Sequence, residues 1–245
     1  MFMALLFNSN DPNSIFANKK VREAFEYALD RPAIAGMVGQ GLFEPFVQMA
    51  SKTWPGYVEG YNPRPYNPAK AKQLLTEAGY PGGLKTTMMG MVGGATQDAI
   101  AAMQSYLGAV GITITPDIAD IGRYFGSVFG TGWKDSVYAA SGINPSTTDL
   151  YIHYGPTPVT FRTGNILKSP EYIAKCNDAL NPNYQTASEA LPKIKEAIRQ
   201  AGEDAMIVPL WRTAECSIHQ PYVHTDYPKI HSIIWTPFDD WMEKH

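Results

Sequence analysis

Residues 66–83, YNPAKAKQLLTEAGYPGG, hold a helix whose two ends and one buried face are all written in the chain. Asn67 is placed to cap the first turn, and Pro68 takes the first helical position, where a missing N–H costs nothing. Ala71, Leu74, Leu75 and Ala78 follow at i, i+3, i+4 and i+7, which is one apolar face. Gly79 suits the left-handed conformation that closes a helix, and Pro81 forbids continuation. A strand through residues 68–78 is excluded.

A second helical stretch lies upstream in KKVREAFEYALDRPAIAGMVGQGLFEP, residues 19–45. Val21, Ala24, Phe25, Ala28 and Leu29 make an apolar stripe, and Asp30 is placed to cap a following helix that contains Ile34, Met37 and Val38. Downstream, Leu84–Met91 reads as a strand and Gly90, Gly93 and Gly94 as a loop. Thr96 then caps a helix with Ile100, Met103, Leu107 and Val110 on one face, ended by Gly111. Ile112, Ile114, Pro116 and Ile118 outline a second strand. Strand, helix and strand over residues 84–118 predict a βαβ unit with parallel pairing. Residues 123–129 read as a short aromatic helix, and Ser136–Ala140 as a strand. Ser169-Pro170-Glu171 opens a helix with Ile173, Cys176 and Leu180 inward. Thr186 and Glu189 have capping-box spacing, yet Pro192 follows, so that helix either kinks there or starts later. Residues 181–185 and 219–228 are loop candidates.

Three segments, in order, resemble signatures of the family 5 extracellular solute-binding proteins, the peptide, nickel and oligosaccharide receptors of ABC importers. Residues 66–83 are similar to a Tyr/Asn-Pro, Ala-Lys, Leu-Leu, Glu-Ala-Gly-Tyr-Pro helix of the second lobe. Residues 19–45 resemble a Val-Arg-x-Ala … Ala-x-Asp-Arg helix pair, and EDAMIVPLWRTAECSIH, residues 203–219, a helix end followed by a Pro-Leu-Trp/Tyr strand. The resemblance implies an α/β, periplasmic-binding-protein-like lobe (type II, cluster C) with a central mixed, largely parallel sheet flanked by helices. Residues 1–206 are expected to form the second lobe. Residues 207–245 are expected to be a return segment that packs on the first lobe and exposes Ile233, Ile234, Trp235 and Trp241 in its absence. The opening ALLFNSNDPNSIFANKKVREAF resembles a strand that lies mid-protein in the family, and IIWTPFDDWMEKH a family C-terminus. The expectation is therefore about half of a longer protein, with the missing N-terminal lobe, a small-molecule solute and the importer's membrane permease as partners. Its location is expected to be periplasmic or extracellular and membrane-associated, with the export signal outside residues 1–7, which are apolar but lack a basic start.

Composition agrees without adding much. With 245 residues and 44% apolar content the chain can bury a substantial core, as one large domain or two small ones. A net charge of −3 leaves no footprint for nucleic acid or an anionic membrane.

Catalytic signatures are missing: the sequence has no Gly-x-Ser-x-Gly elbow, no phosphate-binding loop and no His-Glu-x-x-His. The glycine pairs 39/41 and 130/132 read as turns, and Asp239–Asp240 as a solvated turn. No enzyme activity and no cofactor is expected. His219, His224 and His231 with Cys216 could ligate a metal, but histidines scattered in an aromatic tail read more simply as surface or packing residues. Cys176 and Cys216 could pair in an exported protein, though the apolar face around Cys176 favours a buried thiol.

The resemblance also suggests a cleft. VYAASGINPSTTDLYIHYG, residues 137–155, aligns with a family loop of the form Trp-x-Ala-Asp-Tyr-x-x-Pro. Tyr138 takes the aromatic place and Ala140 the alanine, while Ile143 and Asn144 lead to Pro145. Ser141 stands where peptide receptors place the aspartate that pairs with a ligand ammonium, and Gly142 where an aromatic is usual. A slipped alignment would put that charge on Asp135 or Asp149. Arg123 and Tyr124, after a strand end, are further cleft candidates, or else a helix-surface arginine beside a core aromatic. A neutral hydroxyl in place of a carboxylate removes the selector for amines and suits a sugar, a non-standard peptide or an opine-like solute. A nickel or metal-chelate receptor, a chemoreceptor-like binding module and a stand-alone α/β hydrolase-like domain are the alternatives.

Overall fold

The structure, a computed structural model, describes residues 2–50, 52, 54–140, 154–156, 164–184, 186–213, 220–224 and 241–242. The chain opens with strand β1 (Phe2–Phe7), followed by helices α1 (Lys19–Ala28) and α2 (Arg31–Val38) and the short strand β2 (Glu44–Pro45). Helix α3 (Pro68–Glu77), strand β3 (Leu84–Met91), helix α4 (Gly94–Gly108) and strand β4 (Ile112–Ala119) come next. Helix α5 (Ile121–Gly126) runs into a π turn (Ser127–Thr131) and then strand β5 (Ser136–Ala140). Helices α6 (Pro170–Ala179) and α7 (Ala187–Glu203) lead to strand β6 (Ile207–Arg212). Two short strands, β7 (Val223–His224) and β8 (Trp241–Met242), pair separately.

Six strands form one mixed sheet in the order β2-β6-β1-β5-β3-β4. β3 pairs in parallel with β4 and β5, while β1 is antiparallel to both β5 and β6. Four strands, β3 to β6, therefore run one way and β1 and β2 the other. Alternation along β1 sends Leu5 and Phe7 to one face and Phe2, Ala4 and Leu6 to the other, since successive strand residues point to opposite sides. Helices α1 to α4 cover the first face, and α5, α6 and α7 the second. The result is a three-layer α/β sandwich with a core on each side of the sheet.

Local chemistry accounts for most of the elements. Asn67 accepts the Lys70 N–H, and α3 ends in a Schellman motif: Tyr80 N–H donates to Leu75 O and Gly79 N–H to Thr76 O, with Gly79 at φ 95°. Asp30 caps α2 by accepting the Ala33 N–H. The βαβ unit closes at two glycines. Gly83 has φ 85°, and a Cβ there would lie 2.1 Å from Gly111 O, the acceptor of the Leu84 N–H. Pro209 lies in the interior of the sheet, opposite Ala4, where the β1–β6 register shifts; the irregularity accommodates a residue with no N–H.

Several expectations are corrected. The lobe does not stop at residue 206, because β6 lies between β2 and β1 in the same sheet. Gly93, not Thr96, precedes α4, and Gly90 belongs to β3, where the Thr96 and Ile100 side chains approach too closely to admit a Cβ. Met37 is exposed, not part of the apolar face of α2. Tyr172, Cys176 and Ala179 form the fully buried face of α6, with Ile173 and Leu180 only partly covered. Helix α7 starts at Ala187, capped by Thr186, and runs through Pro192. Pro192 removes only the N–H that would reach Ser188, and Ser188 is exposed, so water can serve its carbonyl.

Four buried polar side chains, Gln48, Arg22, Arg64 and Glu26, organise what periodicity does not describe. Gln48 holds the 46–64 loop: its Nε2 donates to Val58 O at 2.9 Å and Tyr61 O at 3.3 Å, and its Oε1 accepts the Val58 N–H at 2.9 Å. Gln48→Leu keeps the volume but strands these groups, and is expected to cost about 1–3 kcal/mol. A thermal melt indistinguishable from wild type would refute that role.

Arg22, the arginine of the Val-Arg motif, donates to Phe16 O, Ala17 O, Asp204 O and Ala205 O at 2.7–3.1 Å. Arg64 donates to Gly202 O at 2.6 Å and Glu203 O at 2.9 Å. Four successive carbonyls at the end of α7 are thus taken by two guanidinium groups, which also oppose the negative end of the helix dipole. Glu26, buried on α1, accepts from Arg64 at 3.3 Å and from Arg31 at 3.2 Å. Burial pushes the Glu26 carboxyl above its ordinary pKa, and the two arginines pull it back.

Candidate functional site

Because β3, β4, β5 and β6 are codirectional, their C-terminal ends share one end of the sheet. In open α/β sheets, ligands collect in the crevice beyond such ends. The first residues of β1 and β2 reach the same end, since Phe2 and Glu44 both pair with Arg212. Glu44 and Arg212 also form an ion pair at 3.2 Å.

Arg123 lies on α5, just beyond β4. Its backbone N–H donates to Asp120 Oδ1, and its guanidinium grips Asp117 of β4 in a bidentate pair at 2.9 and 2.6 Å. The arginine holds the Asp117 carboxyl below the usual carboxylate range, and the aspartate raises the guanidinium in turn. Both side chains are roughly half exposed, at 45% and 40%, so the pair is open to solvent and to exchange with a charged ligand. Asp117 had no signal as a partner beyond its outward place in the alternation ITITPD, six residues before Arg123.

Tyr124 and Tyr138 are interior. The Tyr124 hydroxyl donates to Tyr138 O at 3.1 Å, which ties α5 to β5. Tyr138 packs against Trp211 at 5.9 Å between ring centroids, on the opposite side of the sheet from the Tyr124 ring, and burial pushes its phenol well up. Both side chains belong to the core and shape the site from behind.

Ser141, Gly142, Ile143 and Asn144 lie outside the described residues. β5 carries Ala140, the last described residue before them, to the middle of the sheet end, between β1 and β3. Asp135, the alternative carboxylate, sits before β5 at the opposite end and is occupied: it accepts the Thr87 N–H and hydroxyl at 2.9 and 2.8 Å. Asp149 lies outside the described residues.

Cys176 is a buried free thiol whose pKa burial raises, while Cys216 is outside the described residues. Of the tail histidines, His224 falls in β7, and His219 and His231 are not described. The same holds for Ile233, Ile234 and Trp235, and for the side chain of Trp241.

The chain is 38% identical over 122 residues to the glutathione-binding protein GsiB of Escherichia coli strain K12, a match covering 49% of this chain and 24% of that protein. Among solved structures, that of the binding protein AgaA in complex with agropinic acid, from A. tumefaciens R10, superposes with a TM-score of 0.73 at 25% identity, covering 86% of this chain and 43% of AgaA. The oligopeptide-binding protein AppA of Bacillus subtilis, in complex with a nonapeptide, gives a TM-score of 0.75 at 20% identity, over 86% of this chain and 44% of AppA. The chain thus spans less than half the length of each of these relatives. The family model for bacterial extracellular solute-binding proteins, family 5 (middle part), matches residues 1–154. That match runs from β1 to just past β5, through the strand ends described above, and the chain belongs to family 5 of the bacterial extracellular solute-binding proteins.

Proposed function

We propose that this chain is the second lobe of a receptor that captures a small solute outside the cytoplasmic membrane and delivers it to the permease of an ABC importer. The observation that carries the reading is the shared sheet end. β3 to β6 finish there, β1 starts there, and residue 141 follows from its centre. A first lobe tethered at that end would close over a solute held against the 141–144 segment. Residues beyond Arg212 would return to that lobe.

The solute is a non-standard peptide-like, sugar or opine-like compound and not an ordinary peptide. Ser141 and Gly142 replace the aspartate and aromatic of peptide receptors, and without a buried carboxylate an ammonium group loses its partner as the cleft dries. GsiB is named for binding glutathione, and AgaA is complexed with agropinic acid. Agropinic acid fits this reading, and glutathione fits its non-standard peptide class but keeps a free ammonium, which would need a partner other than residue 141.

Calorimetry on the protein carrying both lobes tests it. Unmodified di- and tripeptides are expected to bind at least about tenfold more weakly than an opine that carries no free ammonium. Ser141→Asp should narrow that gap by favouring free amines. Tight binding of unmodified peptides, unaltered in Ser141→Ala, would show that the cleft segment is wrongly placed.

A further inference from the structure

The sheet end that carries the proposed cleft also carries large apolar side chains that belong to neither core. Leu42 is 65% exposed, Val92 52% and Ile121 61%. They sit on two flanks. Leu42 lies in the turn that leads into β2, an edge strand. That turn is held by Gln40 and Gly41 at positive φ and by the Leu42 N–H donating to Gly39 O at 2.8 Å. Val92 and Ile121 follow β3 and β4 at the other edge. The Val92 N–H donates to Ala119 O at 2.7 Å, two residues before Ile121, so both leave the sheet at one level. Between the flanks lie the ends of β6 and β5 and the start of β1.

We infer that Leu42, Val92 and Ile121 are apolar stops on which the other lobe of the protein seats when the cleft closes, and that they stabilise closure independently of the solute. The inference rests on the proposed second-lobe role. Three observations select this occupant. The chain covers only 41–44% of similar solved structures, whose remaining part is of comparable mass. β1 starts and β6 ends at this end, with Phe2 opposite Arg212, so a lobe joined to either strand would be tethered there. The apolar groups flank the centre and leave it to the solute.

Burial on closure is the same whichever solute is bound, so it shifts the open–closed equilibrium by a fixed factor and leaves selectivity alone. The test uses the protein carrying both lobes, spin-labelled once on each lobe, with inter-label distances read with and without glutathione or agropinic acid. Val92→Ser combined with Ile121→Ser, and Leu42→Ser alone, are expected to lower the closed-to-open ratio about threefold to thirtyfold under every condition. They should weaken whichever probe binds by the same factor. An unchanged closed fraction overturns the inference. Loss of affinity for one probe but not the other overturns it too, because these side chains would then touch solute. So does a concentration-dependent dimer that the substitutions abolish, since a second copy would then be the occupant. If neither probe binds while the closed fraction falls as expected, the proposed ligand class fails and the closing surface stands.

Discussion

Replacing Glu26 with alanine is expected to destabilise the lobe by about 3–5 kcal/mol, among the largest effects of any single substitution here. The carboxylate is 2% exposed and stands between Arg31 and Arg64, themselves 2% and 4% exposed. Without it, two guanidinium groups stay in a low-dielectric interior with no balancing charge, apart from the more peripheral contact of Arg64 to Glu23 at 3.0 Å. The damage spreads, since Arg64 also holds the Gly202 and Glu203 carbonyls at the end of α7, which leads directly into β6. Glu26→Gln keeps the shape and an acceptor oxygen and should fall between wild type and Glu26→Ala. In thermal unfolding the alanine variant should melt on the order of 10 °C lower. A melting point within a degree or two of wild type would mean that the arginines find other partners and that the network does not hold α7.

Phe25→Ala is expected to cost a similar amount, about 3–5 kcal/mol, by a different route. Phe7 of β1, Phe16 of the turn before α1 and Phe25 of α1 are all fully buried and meet ring to ring. The Phe7 and Phe16 centroids are stacked 4.5 Å apart, and Phe25 meets both edge-on at 5.4 and 5.2 Å. Removing Phe25 forfeits its transfer free energy and both edge contacts, and leaves a cavity that a strand, a turn and a helix cannot jointly collapse. Phe25→Leu should recover more than half of the loss. Urea unfolding with an unchanged slope and a lower midpoint is the expected pattern. A loss under about 1 kcal/mol would show that the cluster repacks around the gap.

What could be read in the chain alone was whatever short-range chemistry dictates. The helix over 68–77, its Asn67 cap and Gly79 closure, the Asp30 cap of α2, and the strands 84–91 and 136–140 each rest on a few consecutive residues with one physical solution. The wording of the three signature segments likewise sufficed for the family. The purpose of that wording was not legible. Arg22 caps carbonyls 182 and 183 residues away, and Arg64 caps the two before them, so a motif that reads as a label is the clamp on α7. Nor could the sequence say that Ile207–Arg212 would enter the sheet, because a strand's neighbours depend on pairing across the whole chain. Tyr124 looked as suited to a cleft as to a core and Tyr138 read as a cleft residue, and only the packing of α5 and Trp211 buried them. Leu42, Val92 and Ile121 look like core residues one by one. Which apolar groups remain exposed is decided when the strand ends align, and that alignment is a property of the folded sheet.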